Sequence, residues 1–471
     1  MKVSIINPPW ETKSGYGARS NCRWPHVDTS RFANFPIYLA YTASLIGRMG
    51  IETEVLDCAA PVTSPDGMIK RLCESKPEIC LVETSTPTIA QDLQNARRIK
   101  QEIGSKVILM GPHVSIADVN TLTENPFIDG IIRGEFEEAA AEACVRPWSE
   151  VFGLTYRDGK EIRRNPARQS LIDLSTLPFP AWEKFDLKHY DWVLLPSPAM
   201  LITATRGCPF HCSYCLWPQL MYGHVQRRRS PKSVVDEMEV LVNDFGVKGI
   251  RFDDDTFALD AKYVESICRE IIERGLQERV VWSCFGHTSA PNEEAFRLMK
   301  KAGCVQIDFG VETGSEEVLK GLGKNTNVEN ARRTMAICRK MGIKTYGTYM
   351  IGFPEESRED ILRTIDLALT LNTDFMQVSY VIPYPGTRLY ELCRAKGYLP
   401  FPEQWEKYDG TQPVIINKIG AQELQKLYKL FWKKFFLRFR YFWYFFRKST
   451  ESARDFRKAV RSVRSFLLKI T

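Results

Sequence analysis

The chain has 471 residues, 44% hydrophobic and 26% charged, a composition that fits a globular protein of about three domains and excludes a disordered or collagen-like chain. Its net charge of +7 is uneven: Lys418 to Thr471 holds 15 Lys/Arg against 3 Asp/Glu, so residues 1–417 carry −5 and offer no general basic surface for nucleic acid. Most of the 13 cysteines stand singly in apolar segments, which argues for a reducing cytoplasm, and Met1-Lys2 runs straight into an apolar strand without a signal-peptide pattern.

Strands are expected at Val3 to Ile6, Thr53 to Asp57, Ile79 to Glu83, Lys106 to Met110 and Gly130 to Ile132, with helices at Leu39 to Met49, Pro65 to Lys76 and Ile89 to Ile103. This alternation predicts a doubly wound parallel sheet over residues 1–145, with ligands beyond the strand C-termini. Residues 146–195 read as a linker with an Asp158-Gly159 hairpin signal and a proline-rich run at Leu177 to Trp182. A second alternation over 196–400 starts at Met200 to Ala204. It continues at Gly249 to Phe252, Val280 to Ser283, Gln306 to Gly310, Thr345 to Met350 and Met376 to Tyr380, as in a partial α/β barrel. Residues 401–471 form a basic, aromatic, helical C-terminal region.

The run Thr205-Arg206-Gly207-Cys208-Pro209-Phe210-His211-Cys212-Ser213-Tyr214-Cys215 puts three thiols in eight residues, just past the first strand of the second alternation. An iron-sulfur cube takes four thiolates, so three leave one iron open to a small molecule. A structural zinc site wants four closed ligands, usually in Cys-x-x-Cys pairs, and a disulfide would leave one thiol over. The other cysteines, Cys22, Cys58, Cys73, Cys80, Cys144, Cys268, Cys284, Cys304, Cys338 and Cys393, read as buried thiols.

The loop Cys208-x-x-x-Cys212-x-x-Cys215, with Tyr214 before its last cysteine, resembles that of the radical S-adenosylmethionine enzymes. Phe252-Asp253-Asp254-Asp255-Thr256-Phe257, Gly310-Val311-Glu312-Thr313-Gly314-Ser315, Gly352-Phe353-Pro354-Glu355-Glu356 and Tyr384-Pro385-Gly386-Thr387 resemble, in order, segments of its cobalamin-dependent subgroup, the class B methyltransferases. Gly111-Pro112-His113-Val114-Ser115 and Arg133-Gly134-Glu135-Phe136-Glu137 resemble turns of that subgroup's cobalamin-binding domain.

The resemblance covers residues 1 to about 400. It implies a 4Fe-4S cluster on Cys208, Cys212 and Cys215, with S-adenosylmethionine on the open iron, cleaved to a 5'-deoxyadenosyl radical. Glu312 matches the position that contacts the methionyl amino group; capping of the next helix is the competing reading. Tyr214 is placed against the adenine through its backbone, or packs. Of the adjacent Asp254 and Asp255 at most one faces the pocket, and Asp254 is taken; helix capping with Thr256 competes. Gly111, His113, Gly134 and Glu135 are assigned to cobalamin, although His113 also reads as a surface-turn histidine.

Two departures stand out. Asp57-Cys58-Ala59-Ala60-Pro61-Val62 lacks the histidine and glycine of Asp-x-His-x-x-Gly, so a bound cobalamin would have no histidine from that motif. Cys284-Phe285-Gly286-His287 stands where many relatives have arginine after the third barrel strand. His224, Arg227, Arg228 and Arg229 either engage an anionic group or form a solvated basic face.

In the tail, Tyr428, Trp432, Phe435, Phe439, Phe442 and Phe446 form one helical stripe. Lys433, Lys434, Arg438 and Arg440 would each cost about 2.5–3.5 kcal/mol at a bilayer centre, so the segment should lie on the barrel or at an interface rather than span. The expected function is cobalamin-dependent radical functionalisation of an unactivated carbon, by methyl transfer to a hydrophobic or lipid-like substrate. Cyclisation or carbon-carbon coupling is the enzymatic alternative, and a non-catalytic metal-binding membrane adaptor the contrasting one. A reductant such as flavodoxin or ferredoxin is the expected partner, and the expected location is the cytoplasm or the inner membrane face.

Overall fold

The computed structural model describes residues 1–12, 16–19, 25–28, 33–60, 63–192, 194–289, 291–439 and 441. Five short apolar runs become parallel strands: β1 (Lys2–Asn7), β2 (Glu52–Asp57), β3 (Ile79–Glu83), β4 (Lys106–Met110) and β5 (Gly130–Ile132). They pair in the order β2-β1-β3-β4-β5, so the winding reverses between β1 and β3, where a doubly wound sheet opens its ligand crevice. All residues of β3 and β5 are buried, as expected for strands covered on both faces.

The linker reading of residues 146–195 needs correction. β6 (Leu154–Asp158) and β7 (Glu161–Arg164) turn at Gly159, with φ +60°, and extend the first sheet antiparallel from β5. The rest returns along helix Ile37–Arg48, where Trp182 packs 4.6 Å from Phe35 and the Tyr190 hydroxyl donates to Asp57 at 2.7 Å.

The second unit is an open sheet of six parallel strands in chain order: β8 (Ala199–Ile202), β9 (Gly249–Phe252), β10 (Val281–Gly286), β11 (Cys304–Glu312), β12 (Lys344–Ile351) and β13 (Phe375–Tyr380). Its helices start on polar caps that the sequence supplies beyond each strand, including Ser230, Asp260, Asn292, Ser315, Ser357 and Thr387, each accepting a backbone N–H. Along β12 and β13 the pattern alternates: Tyr346, Thr348, Met350, Gln377 and Ser379 are half-buried, while Tyr349 and Ile351 are covered. One apolar core runs from Val3 through helix Ile37–Arg48 to the barrel, so the two units share their packing.

Helix Ala421–Phe436 buries Leu424, Leu427, Phe431, Trp432 and Phe435. Tyr428 stacks on Tyr380 at 4.6 Å and Phe431 lies 5.3 Å from Tyr349, so the aromatic stripe covers the flank of β12 and β13. Phe439 is 83% exposed, and Phe442, Phe446 and Arg440 lie outside the described residues. Among the described residues no helix is long and apolar enough to cross a membrane. Cys73 is exposed rather than buried, and Cys22 lies outside the described residues.

Candidate active site

The cysteine loop sits on a two-residue antiparallel stem in which Thr205 and Arg206 pair with Arg228 and Arg227. Gly207 has φ +88°, and a Cβ there would overlap the Val225 carbonyl oxygen, so the residue before Cys208 has to be glycine. Cys208, Cys212 and Cys215 are half-buried and none of them is in a disulfide. Burial pushes the Cys208 thiol up to about 12 and raises Cys212 as well, so these two thiols hold their protons until a metal displaces them. Among the described residues no three His, Cys, Asp or Glu side chains are grouped to hold a metal ion. A cube gives each thiolate its own iron, so its three cysteines need not converge on one metal ion.

The loop is held by residues that motif reading passes over. Gln219 Nε2 donates to the carbonyls of Cys215 at 2.6 Å and Cys212 at 3.2 Å, and its Oε1 accepts the Arg388 N–H at 3.0 Å. His224 Nδ1 lies 2.9 Å from the Phe210 carbonyl, and its ring stacks on His211. Asp254 does not face open space. It accepts the backbone N–H groups of Ala204 and Thr205 at the root of the stem, fully buried, with its carboxyl pushed up to about 7 by burial. Asp255 accepts the Gly207 N–H at 2.7 Å, and Asp260, not Asp254 or Thr256, caps the helix that follows.

Glu312 ends β11 at a bulge, with φ +67°, a left-handed conformation unusual for glutamate. Its carboxylate is 2.5 Å from Lys324 Nζ, both side chains are buried, and Ser315 caps the next helix instead. Gly310 makes room: a Cβ there would come 2.7 Å from Lys324 Nζ. Burial and then the neighbouring Glu312 raise the Tyr214 hydroxyl far above its usual value. Tyr214, Glu312 and Lys324 thus form one cluster beside Cys208 and Cys212. Lys324 was invisible to motif reading because it lies in a Gly-Leu-Gly-Lys turn without a pattern of its own.

In the first unit, Gly111 has φ +118° and closes against the Thr84 carbonyl, where any Cβ would overlap. His113 is not a surface-turn residue. It is buried, held neutral with its pKa pushed down to about 4 by burial, with Nδ1 3.4 Å from Thr86 Oγ1 and its ring 5.2 Å from Trp405. Gly134, with φ +72°, has no atom nearer to a built Cβ than the Leu220 carbonyl at 3.9 Å, which leaves space at the end of β5.

Glu135 departs from its assignment. It is buried and pairs with Arg206 at 2.8 Å and Arg227 at 3.0 Å, while Glu137 pairs with Arg206 at 2.7 Å. Burial opposes the Arg206 charge, but Glu137, Tyr222 and Glu135 outweigh it and keep the guanidinium protonated. Arg228 pairs with Asp260 at the surface and Arg229 with the buried Glu237, so both arginines already have carboxylate partners within the protein. Where arginine was missed after β10, His287 stacks on Phe210 of the cysteine loop at 4.0 Å.

A parallel barrel with three thiols beyond its first strand, behind a sheet of the cobalamin-binding kind, defines a class. Residues 202–368 match the radical SAM superfamily, and residues 24–144 match the B12 binding domain. An uncharacterized methyltransferase of Pyrococcus horikoshii is 30% identical over 448 residues, covering 93% of each chain. The anaerobic magnesium-protoporphyrin IX monomethyl ester cyclase of Cereibacter sphaeroides is 26% identical over 89% of this chain and 67% of its own. The fold is shared with the radical S-adenosylmethionine methyltransferase TsrM from Kitasatospora setae (TM-score 0.66, 20% identity, 85% of this chain and 76% of that one). It is shared also with the cobalamin-dependent S-adenosylmethionine radical enzyme OxsB (TM-score 0.70, 15% identity, 99% and 72%).

The chain belongs to the radical SAM superfamily, in the group that carries a B12 binding domain. It is an enzyme, and the cofactors of its class are a 4Fe-4S cluster, S-adenosylmethionine and cobalamin. The residues fit these groups: three thiols outside any disulfide on one loop, a buried anion-cation pair, and a glycine turn at Gly134 with open space at the carboxyl edge of the first sheet.

Proposed function

We propose that the protein is a methyltransferase that modifies an unactivated carbon of an amphiphilic, largely hydrophobic substrate. Cys208, Cys212 and Cys215 would hold the cluster, Glu312 the amino end of S-adenosylmethionine and the Tyr214 backbone its adenine, and the turns at Gly111, His113 and Gly134 the corrin. When bound, these groups supply one-electron cleavage of S-adenosylmethionine and delivery of a methyl group. The protein's part is to orient them, to hold the Glu312 carboxylate against Lys324, and to exclude water by burial.

The observation that carries the reading is that the carboxyl edge of the first sheet abuts the cysteine loop. Arg206 of the stem is buried between Glu135 and Glu137, and the Gly386 loop is packed against Ile116. Two units with independent tasks would have no need of such a junction. The half-buried row Tyr346, Thr348, Met350, Gln377 and Ser379 mixes polar and apolar surface, which suits an amphiphile.

Lys426, Lys433 and Lys434 on the last helix and Leu437 and Phe439 just beyond it are exposed, which supports peripheral contact with anionic lipid at the cytoplasmic face. Arg438 does not join that face, because it hydrogen-bonds Asn372 at 3.2 Å. Full-length protein should sediment with phosphatidylglycerol vesicles at low salt and be released at high salt. Equal recovery of a variant with Lys433, Lys434 and Phe439 replaced by glutamate would remove this part of the reading.

The main test is anaerobic reconstitution with iron, sulfide and cobalamin, with flavodoxin or ferredoxin as reductant. Wild type should cleave S-adenosylmethionine to 5'-deoxyadenosine, and Cys212→Ala should not. Comparison of lipid extracts from cells with and without the protein should show a product heavier by one methylene. A product of unchanged carbon number would support ring closure instead, the activity in the name of the Cereibacter relative.

A further inference from the structure

The stem of the cysteine loop places Arg206 opposite Arg227, and both guanidinium groups converge on one carboxylate. Glu135 Oε1 lies 2.8 Å from Arg206 Nη1 and 3.1 Å from Arg227 Nη2, while Oε2 takes Arg227 Nη1 at 3.0 Å and the Ile172 N–H at 3.0 Å. Glu137 adds a second carboxylate to Arg206, and the rings of Tyr38, Tyr41 and Tyr222 stand 5.0, 5.1 and 5.3 Å from its guanidinium carbon. A carboxylate shared by two guanidinium groups across both limbs of a stem stops the limbs from sliding past each other.

The other end of this arrangement reaches the glycine turns. The Gly134 N–H donates to Ser115 Oγ at 2.9 Å, and Ser115 Oγ donates to the Gly111 carbonyl at 2.7 Å. A continuous path of hydrogen bonds, ion pairs and peptide units therefore joins Gly111 to Gly134 and Glu135, and then through Arg206 and Gly207 to Cys208.

We propose that Glu135, supported by Glu137, is a positioning residue that fixes the spacing between the cobalamin edge of the first sheet and the cluster loop. The proposal rests on the cofactor assignment above. It predicts that the magnetic coupling between a reduced cluster and Co(II) depends on the Glu135 charge, although Glu135 touches neither group.

The test is low-temperature electron paramagnetic resonance on full-length protein loaded with both cofactors and reduced with dithionite. Glu135→Gln keeps the side-chain volume but bridges two cations poorly. It should retain near wild-type iron and cobalamin and lose the spin-spin splitting of wild type. Glu137→Gln, which leaves the Glu135 bridge in place, should shift the splitting less and in the same direction. Asp129→Asn weakens the ion pair with Lys100 at the opposite, amino edge of the first sheet and should leave the splitting unchanged.

An unchanged splitting in fully loaded Glu135→Gln overturns the proposal, as does an equal change in Asp129→Asn, which would mark general support of the fold. If Glu135→Gln does not load, Glu137→Gln decides alone. A wild type that takes up neither cofactor would count against the function proposed above and not against the spacing role.

Discussion

Replacing Gly207 by alanine isolates what the turn before Cys208 contributes. The residue sits at φ +88°, where an L side chain costs about 1–2 kcal/mol. Its Cβ would overlap the Val225 carbonyl oxygen and lie 3.1 Å from the Val225 carbonyl carbon and 3.2 Å from the Tyr222 oxygen, all backbone atoms that cannot rotate away. Relief requires the stem to open, which strains the Gly207 N–H bond to Asp255 at 2.7 Å, a charge-assisted bond of about 1.5–3 kcal/mol. The total is about 3–5 kcal/mol at the base of the metal loop.

Gly159→Ala is the control, since Gly159 has φ +60° with nothing within 4 Å of a built Cβ, so only the conformational cost of about 1–2 kcal/mol applies. The difference of about 2–3 kcal/mol corresponds to roughly a 30- to 150-fold shift in the loop equilibrium. After parallel anaerobic reconstitution, iron and acid-labile sulfide per chain should match wild type in Gly159→Ala and fall well below half in Gly207→Ala. Equal iron content and equal heat stability in the two variants would refute the reasoning.

Glu312→Gln should weaken S-adenosylmethionine binding about tenfold or more in equilibrium dialysis while iron content holds, since one charge-assisted bond is removed. Lys324→Met strands the Glu312 carboxylate and should destabilise by about 3–5 kcal/mol, with part recovered in the double variant; additive melting shifts would show that the pair is not coupled. Gln219→Leu removes the amide that binds the Cys212 and Cys215 carbonyls, and the cluster should bleach faster in air than in wild type, followed by its visible absorbance. His113 titrates near 6.5 when unfolded and is pushed to about 4 by burial, so folding is fully favoured above about 6.5 and loses up to about 3 kcal/mol as pH falls toward 4. His113→Gln should therefore lose less stability than wild type between about pH 7 and about pH 5 in paired thermal melts, and equal losses would show that His113 is not the group responsible.

The strands of both sheets were legible because each is a short apolar run with a cap or turn behind it. Val3 to Ile6 lies within β1, and Ile79 to Glu83 and Lys106 to Met110 coincide with β3 and β4. The hairpin at Asp158-Gly159 was legible too, but not that its strands would extend the first sheet, because an antiparallel edge is set by a partner that local sequence does not name. The cysteines were visible as a motif. The residues that hold their loop were not, since Glu135 and Arg206 lie 71 positions apart and Gln219 acts on backbone carbonyls, which leave no mark in a motif. Burial misled as well: His113 reads as a turn histidine until Trp405, from far along the chain, covers it.

That last contact orders events in time. Residues near Trp405 lie on the carboxyl edge of the first sheet, against the Thr86 to Thr88 turn and His113. A ribosome finishes β1 to β5 long before it reaches them, so the crevice exists without its rim for most of synthesis. A large planar ligand meets an edge without that rim on the nascent chain and a rimmed one on the finished protein. When the cofactor is offered, and not only how much of it, becomes a variable in making this enzyme.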